Sequence, residues 1–167
     1  MFRVFDHKSD ALPICEGGCQ CGSVRYECPN QPLELYVCHC LECRHQSASA
    51  FGISYIVARD NFQLTRGRGS LKSWTRGADS GQKVECVFCA ECGSRLWHQY
   101  SGTSETLSIK GGSLDKTVDI SNAVHIWTIR KLSGVVIPEN AKQFDKEPEE
   151  VAPIYCPNSP SNINKST

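Results

Sequence analysis

The sequence predicts a mostly β domain. Short runs rich in β-branched and aromatic residues recur along the chain, Gly and Ser clusters separate several of them, and a 3.6-residue apolar period is weak throughout. Val24, Tyr26 and Cys28 alternate with Arg25 and Glu27, which puts the first three on one strand face. Further strands are expected at 33–37, 51–57, 62–65, 71–75, 83–88, 95–100, 106–110 and 124–129. The clusters at 67–70, 77–81, 101–104 and 111–113 supply turns. Short helical turns are expected only near 41–48 and 112–117. Residues 1–15 read as an irregular lead-in, 16–145 as the folded body, and 146–167, with its glutamates and prolines, as a disordered tail.

A chain of 167 residues suits one hydrophobic core. Lys plus Arg number 18 and Asp plus Glu number 18, so the formal net charge is zero and no basic footprint for nucleic acid is present. Arg66-Gly67-Arg68 reads as a solvated turn. No apolar run reaches the roughly 18 residues that a membrane span needs. Residues 1–8 lack a long apolar segment, so no secretory signal is expected. The expected compartment is the cytoplasm, where thiols stay reduced.

Eleven cysteines then point to metal rather than to a disulfide framework. Three clusters stand out: Cys19-Gln20-Cys21-Gly22, Cys38-His39-Cys40-Leu41-Glu42-Cys43, and Cys89-Ala90-Glu91-Cys92-Gly93 with Cys86 just ahead of it. Structural zinc takes four thiolates in a tetrahedron, usually as close pairs from two segments. The simplest pairing joins Cys19, Cys21, Cys89 and Cys92 in one closed site, with Gly22 and Gly93 where the chain must bend tightly. The middle cluster is left with Cys38, Cys40 and Cys43 and no obvious fourth ligand. Three protein ligands and an open position is the pattern of a site that accepts an exogenous group. A fourth ligand from Cys86, His98 or His125 stays open, while His39 is too close to its neighbours to reach the same ion. Cys86 also leaves the first pairing open, because Cys86, Cys89 and Cys92 could supply three ligands together. Cys28 reads as a small core residue, Cys15 has no assigned role, and Cys156 lies free in the tail.

These motifs carry a resemblance. Residues Gly18 to Tyr26, the Cys38–Cys43 cluster, and Phe88-Cys89-Ala90-Glu91-Cys92-Gly93-Ser94, in that order, resemble the glutathione-dependent formaldehyde-activating enzyme family. The centromere protein V group is similar to the same superfamily. The resemblance spans about 16–144 and implies a β-tent of short antiparallel strands built around zinc. It also implies two Zn2+ per chain: a structural ion at Cys19, Cys21, Cys89 and Cys92, and a second, open one at Cys38, Cys40 and Cys43. The implied activity is condensation of glutathione with formaldehyde to S-hydroxymethylglutathione, a carbon–sulfur lyase reaction in reverse. The implied partners are therefore a small thiol and a small aldehyde. Glu42 and His98 are the candidate proton-handling residues, each weighed against a solvated or core role. The stretch 76–81 has the composition to cradle a carboxylate or simply to turn. Two other functions fit the same motifs: a thiol carrier without catalysis, and a zinc scaffold for protein interaction.

Overall fold

The computed structural model describes residues 14–102 and 105–148. Cys156 and most of the expected lead-in and tail lie outside these residues. The described chain is mostly β, as the sequence predicts, and its strands form two sheets. The small sheet holds β1 (Ile14–Gly18), β2 (Arg25–Pro29) and β5 (Gln63–Arg66) in the order β1-β2-β5. The large sheet adds β3 (Glu34–Cys38), β4 (Gly52–Ala58), β6 (Leu71–Gly77), β7 (Lys83–Cys89), β8 (Arg95–Tyr100), β9 (Thr106–Lys110) and β10 (Val124–Ile126). Its order is β10-β3-β4-β9-β8-β7-β6, antiparallel except where β10 runs parallel to β3. One helix, α1 (Leu41–Ser47), follows β3.

Alternation along the strands divides the large sheet into a dry face and a cavity face. Residues directly opposite one another across a ladder share a face. The row Leu35, Tyr55, Ile109 and Trp97, continued by Val87, lies on one side. The core packs there, with Tyr55, Ile109, Trp97 and Val87 buried against Tyr26 and Cys28 of the small sheet and Val24 just before β2. The alternation at 24–28 therefore places all three residues in the core, each no more than 1% exposed. Tyr26 anchors the contact, with its hydroxyl 2.7 Å from Ser113 Oγ and its ring edge-on to Trp97. The next row, Glu34, Ile56, Ser108, His98, Cys86 and Trp74, faces the opposite way.

Three local expectations change. Residues 14 and 15, placed in the irregular lead-in, belong to β1. Its Glu16-Gly17-Gly18 sequence has little β propensity, and pairing holds it: β2 along one edge and Asp115 N to Glu16 O, at 3.0 Å, along the other. Arg25 ties the same region together by pairing with Glu16 and Asp115. The expected strand at 124–129 stops at Ile126, because Trp127 adopts a left-handed conformation (φ 59°) that is costly for a bulky residue. Arg66, read as part of a solvated turn, donates a hydrogen bond to the Gly22 carbonyl and so braces the first cysteine turn.

Candidate metal centres

The first and third cysteine clusters meet where the small sheet packs on β7. Cys19 and Cys21 lie on the turn between β1 and β2, which is closed by Gly22 N to Cys19 O at 3.0 Å. Cys89 ends β7, and Cys92 follows in a turn closed by Gly93 N to Cys89 O at 2.9 Å. Gly22 and Gly93 have φ of 76° and 73°, a left-handed bend open to glycine at little cost. The four Sγ atoms all lie within 4.8 Å of one another. Cys19 Sγ is 3.5 Å from Cys21 Sγ, and Cys21 Sγ is 3.8 Å from Cys89 Sγ. A tetrahedron with Zn–S bonds of about 2.3 Å has edges of about 3.8 Å, so this donor set fits a soft divalent ion.

The surroundings favour the thiolate form of Cys19 and Cys92 and oppose that of Cys89. Val24 N approaches Cys19 Sγ at 3.1 Å, and Ser94 Oγ lies 3.2 Å from Cys92 Sγ. The Ser94 contacts hold Cys92 down to about 6, while burial pushes Cys89 up to about 11. Burial also opposes ionisation of Cys19, but the Val24 amide and the neighbouring sulfurs outweigh it. Gln20 N donates to Ser94 Oγ at 3.0 Å and locks the two turns together.

The middle cluster is brought together by the end of β3 and the start of α1. Cys38 continues the cavity-facing alternation of Glu34 and Tyr36. Cys40 is the N-cap of α1, its sulfur accepting from Cys43 N at 3.3 Å. Cys43 packs against Gly52, the partner of Cys38 across the ladder. A Cβ on Gly52 would lie 3.1 Å from Cys43 Cβ, so glycine lets the helix settle on β4. The three Sγ atoms lie within 4.8 Å of one another. Hydrogen bonds from Cys38 and Cys43 hold Cys40 down to about 2, and the same contacts, with burial, push Cys38 far up. Cys43 ends near 11, where the bond from Cys38 is outweighed by Cys40 and burial. Three thiolates this close repel one another unless a cation lies between them, which again suits a soft metal ion.

The two clusters therefore can hold metal ions, but they sit in different surroundings. Cys19 and Cys89 belong to the main core, with Cys92 packed against it. Cys38 and Cys43 belong to a small separate cluster with Ile126. Above the middle cluster lies a cavity of about 240 Å3 on the cavity face of the large sheet. Tyr36, His98, Ile56 and Ser108 come from the strands; Trp127, Arg130, Glu147 and Pro148 close in from the C-terminal side. Arg76, Ala78 and Asp79 of the stretch 76–81 also line it.

The remaining candidates separate by position. His39 is fully buried and turns away from the sulfurs, with its Nε2 3.0 Å from His125 Nδ1 and the two rings stacked. That contact also occupies His125. Cys86 stands outside both sulfur groups and takes a contact from Gln46 Nε2 at 3.5 Å. It shares the cavity face with His98, whereas Val87 turns to the core. His98 lines the cavity, and its buried Nδ1 has no hydrogen-bond partner among the described residues. Burial, then Lys110, Arg76 and Arg95, keep its imidazole neutral. Glu42 is half-exposed at the rim, 3.9 Å from Arg76 Nε. Sequence reasoning missed Tyr36, Trp127, Arg130 and Glu147 as cavity residues. They are far apart in the chain, and only the β10-β3-β4-β9-β8-β7 order collects them.

No helix among the described residues is long and apolar enough to cross a membrane. A structurally characterised Rhodobacter sphaeroides protein superposes with a TM-score of 0.50 at 23% identity, over 62% of this chain and 90% of its own; this likeness shows the fold. The sequence matches the glutathione-dependent formaldehyde-activating enzyme family over residues 14–130, a span that contains both cysteine clusters and all ten described strands, and the chain belongs to that family.

Proposed function

We propose that this chain is a zinc-dependent carbon–sulfur lyase of the cytoplasm, joining a small thiol such as glutathione to a small aldehyde such as formaldehyde. The observation that carries this reading is the trio of Cys38, Cys40 and Cys43 sulfurs beneath a cavity, with neither His39 nor His125 turned toward them. In this reading two ions bind per chain. Cys19, Cys21, Cys89 and Cys92 hold a structural zinc, and Cys38, Cys40 and Cys43 hold the other. An ion held by Cys38, Cys40 and Cys43 would supply thiolate chemistry at neutral pH by lowering the pKa of an incoming thiol.

The chain's own residues do the rest. Three thiolates with a divalent ion leave one negative charge, and Arg76 beside Cys40 offsets it, as does Lys110 beside Cys43. Tyr36, Ile126 and Trp127 exclude water from the reacting groups. The cavity holds thiol and aldehyde side by side, so that a bimolecular step becomes a local one. The sulfur lone pair forms the new bond to the carbonyl carbon. The carbonyl π pair moves to oxygen, which gains a proton in place of the one lost from sulfur. His98, kept neutral by burial and then by its cationic neighbours, hydrogen-bonds that oxygen as charge develops. Glu42 steadies Arg76 and faces solvent, so it is not assigned a proton-transfer role.

Exchange NMR between glutathione and its formaldehyde hemithioacetal tests this reading. The exchange rate is expected to rise in proportion to added protein. His98→Gln should keep its metal and lower the protein-dependent rate by about 10- to 100-fold. A rate unchanged by protein, with thiol binding retained, would make the chain a carrier and overturn the catalytic proposal.

A further inference from the structure

Cys15 and Cys28 belong to neither metal cluster, yet their sulfurs lie 3.1 Å apart. They are direct partners across the β1–β2 ladder. Glu16 turns its carbonyl outward to Asp115 N, so its neighbours Cys15 and Gly17 turn theirs toward β2. Cys15 and Cys28 therefore form a hydrogen-bonded pair. Such pairs have Cα atoms about 5.5 Å apart, within the usual range for a disulfide. The backbone needs no rearrangement, and the side chains already point at each other.

We propose that Cys15 and Cys28 are a redox-sensitive pair that closes into a cross-strand disulfide when a low-molecular-weight disulfide, such as oxidised glutathione, accumulates. The half-buried Cys15 sulfur is the point of entry, since Cys28 is only 1% exposed. Cys15, as thiolate, attacks the reagent, forms a mixed disulfide and releases one glutathione thiolate. Cys28 then loses its proton, attacks the Cys15 sulfur and releases the second. The pair gives up two electrons and two protons, and the reagent becomes two thiols. Burial holds the Cys28 thiol well above the usual range, which makes the second step the slow one.

The linkage would close a loop that contains Cys19 and Cys21. It would hold together the strands that present these two sulfurs to the first cluster. The disulfide itself does not depend on the proposed lyase activity, so its test is separate.

Full-length zinc-loaded protein is equilibrated in glutathione buffers of rising disulfide fraction, acid-quenched, alkylated, digested with trypsin and mapped by mass spectrometry. The expected product joins peptide 9–25 to peptide 26–44, with fragmentation placing the bond at Cys15 and Cys28 and with metal content unchanged. The linked fraction should fall at least ten-fold in Cys15→Ser, and dithiothreitol should reverse it. Cys28→Ala gives the same comparison from the other strand. A linkage that persists in Cys15→Ser, that forms only as metal is lost, or that is absent at every buffer ratio would overturn the proposal.

Discussion

Replacing Cys92 with serine is expected to unfold the protein. The side chain is only partly buried, and Cys→Ser changes little volume, so lost packing cannot account for a large effect. The effect comes through the metal. Cys92 completes the only set of four convergent thiols among the described residues, and that set joins the hairpin of the small sheet to the end of β7. Structural zinc sites bind with apparent free energies of roughly 10–16 kcal/mol in small peptides, whereas a domain's whole stability is about 5–15 kcal/mol. A serine oxygen is a poor replacement for a thiolate, and a loss of more than about 4 kcal/mol is expected. Circular dichroism melts should show no cooperative transition, or one far below that of the parent protein. Cys92→Ser with a transition within a few degrees of the parent would mean that this cluster does not hold the fold together.

Cys40→Ser should do the opposite. It is expected to lose about one zinc per chain, to lose thiol binding, and to reduce lyase activity at least 100-fold, while remaining folded. Two features protect the fold. The cluster lies in a small group of buried residues with Ile126, apart from the main core. Cys40 also caps α1 by accepting from Cys43 N, and serine is among the best residues for that position. The helix start therefore survives, and the cap itself should contribute a change of no more than about 1 kcal/mol. Metal analysis, thermal melts and thiol-binding titration read the three effects separately. If Cys40→Ser unfolds as Cys92→Ser does, the division into a structural and a working cluster is wrong.

The contrast between these variants follows from what the sequence could and could not reveal. Close cysteine spacing followed by glycine identified the first and third clusters, because two sulfurs on one tight turn have few other uses. Alternation at Val24, Tyr26 and Cys28 located a core strand for the same local reason. Cys86 resisted assignment from sequence because its face depends on ladder pairing. The ladder sets it beside Trp74 and His98, away from the thiols that follow it. The C-terminal wall of the cavity was hidden as well. Glu147 and Pro148 sit in a stretch whose composition suggests disorder, and the return of residues 142–146 along β10 brings them there. Trp127 ends its strand through a left-handed backbone that no propensity would assign to tryptophan. Local chemistry was legible, whereas a wall assembled from β3, β8 and the segment after β10 was not.

The proposed roles of the two clusters follow from their surroundings. An ion held by Cys19, Cys21, Cys89 and Cys92 would have all four positions filled by thiolates and none left for a ligand, even though Cys21 is exposed. An ion held by Cys38, Cys40 and Cys43 would lie below the cavity and face whatever enters it. The single row of residues from Glu34 through Ile56 and Ser108 to His98 connects that cavity to the sheet, so one wall of it rests on strands.

Anomalous diffraction at the zinc edge, from crystals of the fully metallated protein soaked with glutathione, tests this most directly. An ion is expected at Cys38, Cys40 and Cys43, its remaining ligand the glutathione sulfur. An ion there enclosed by four side chains of the protein, or no ion there while the first cluster is full, would contradict it.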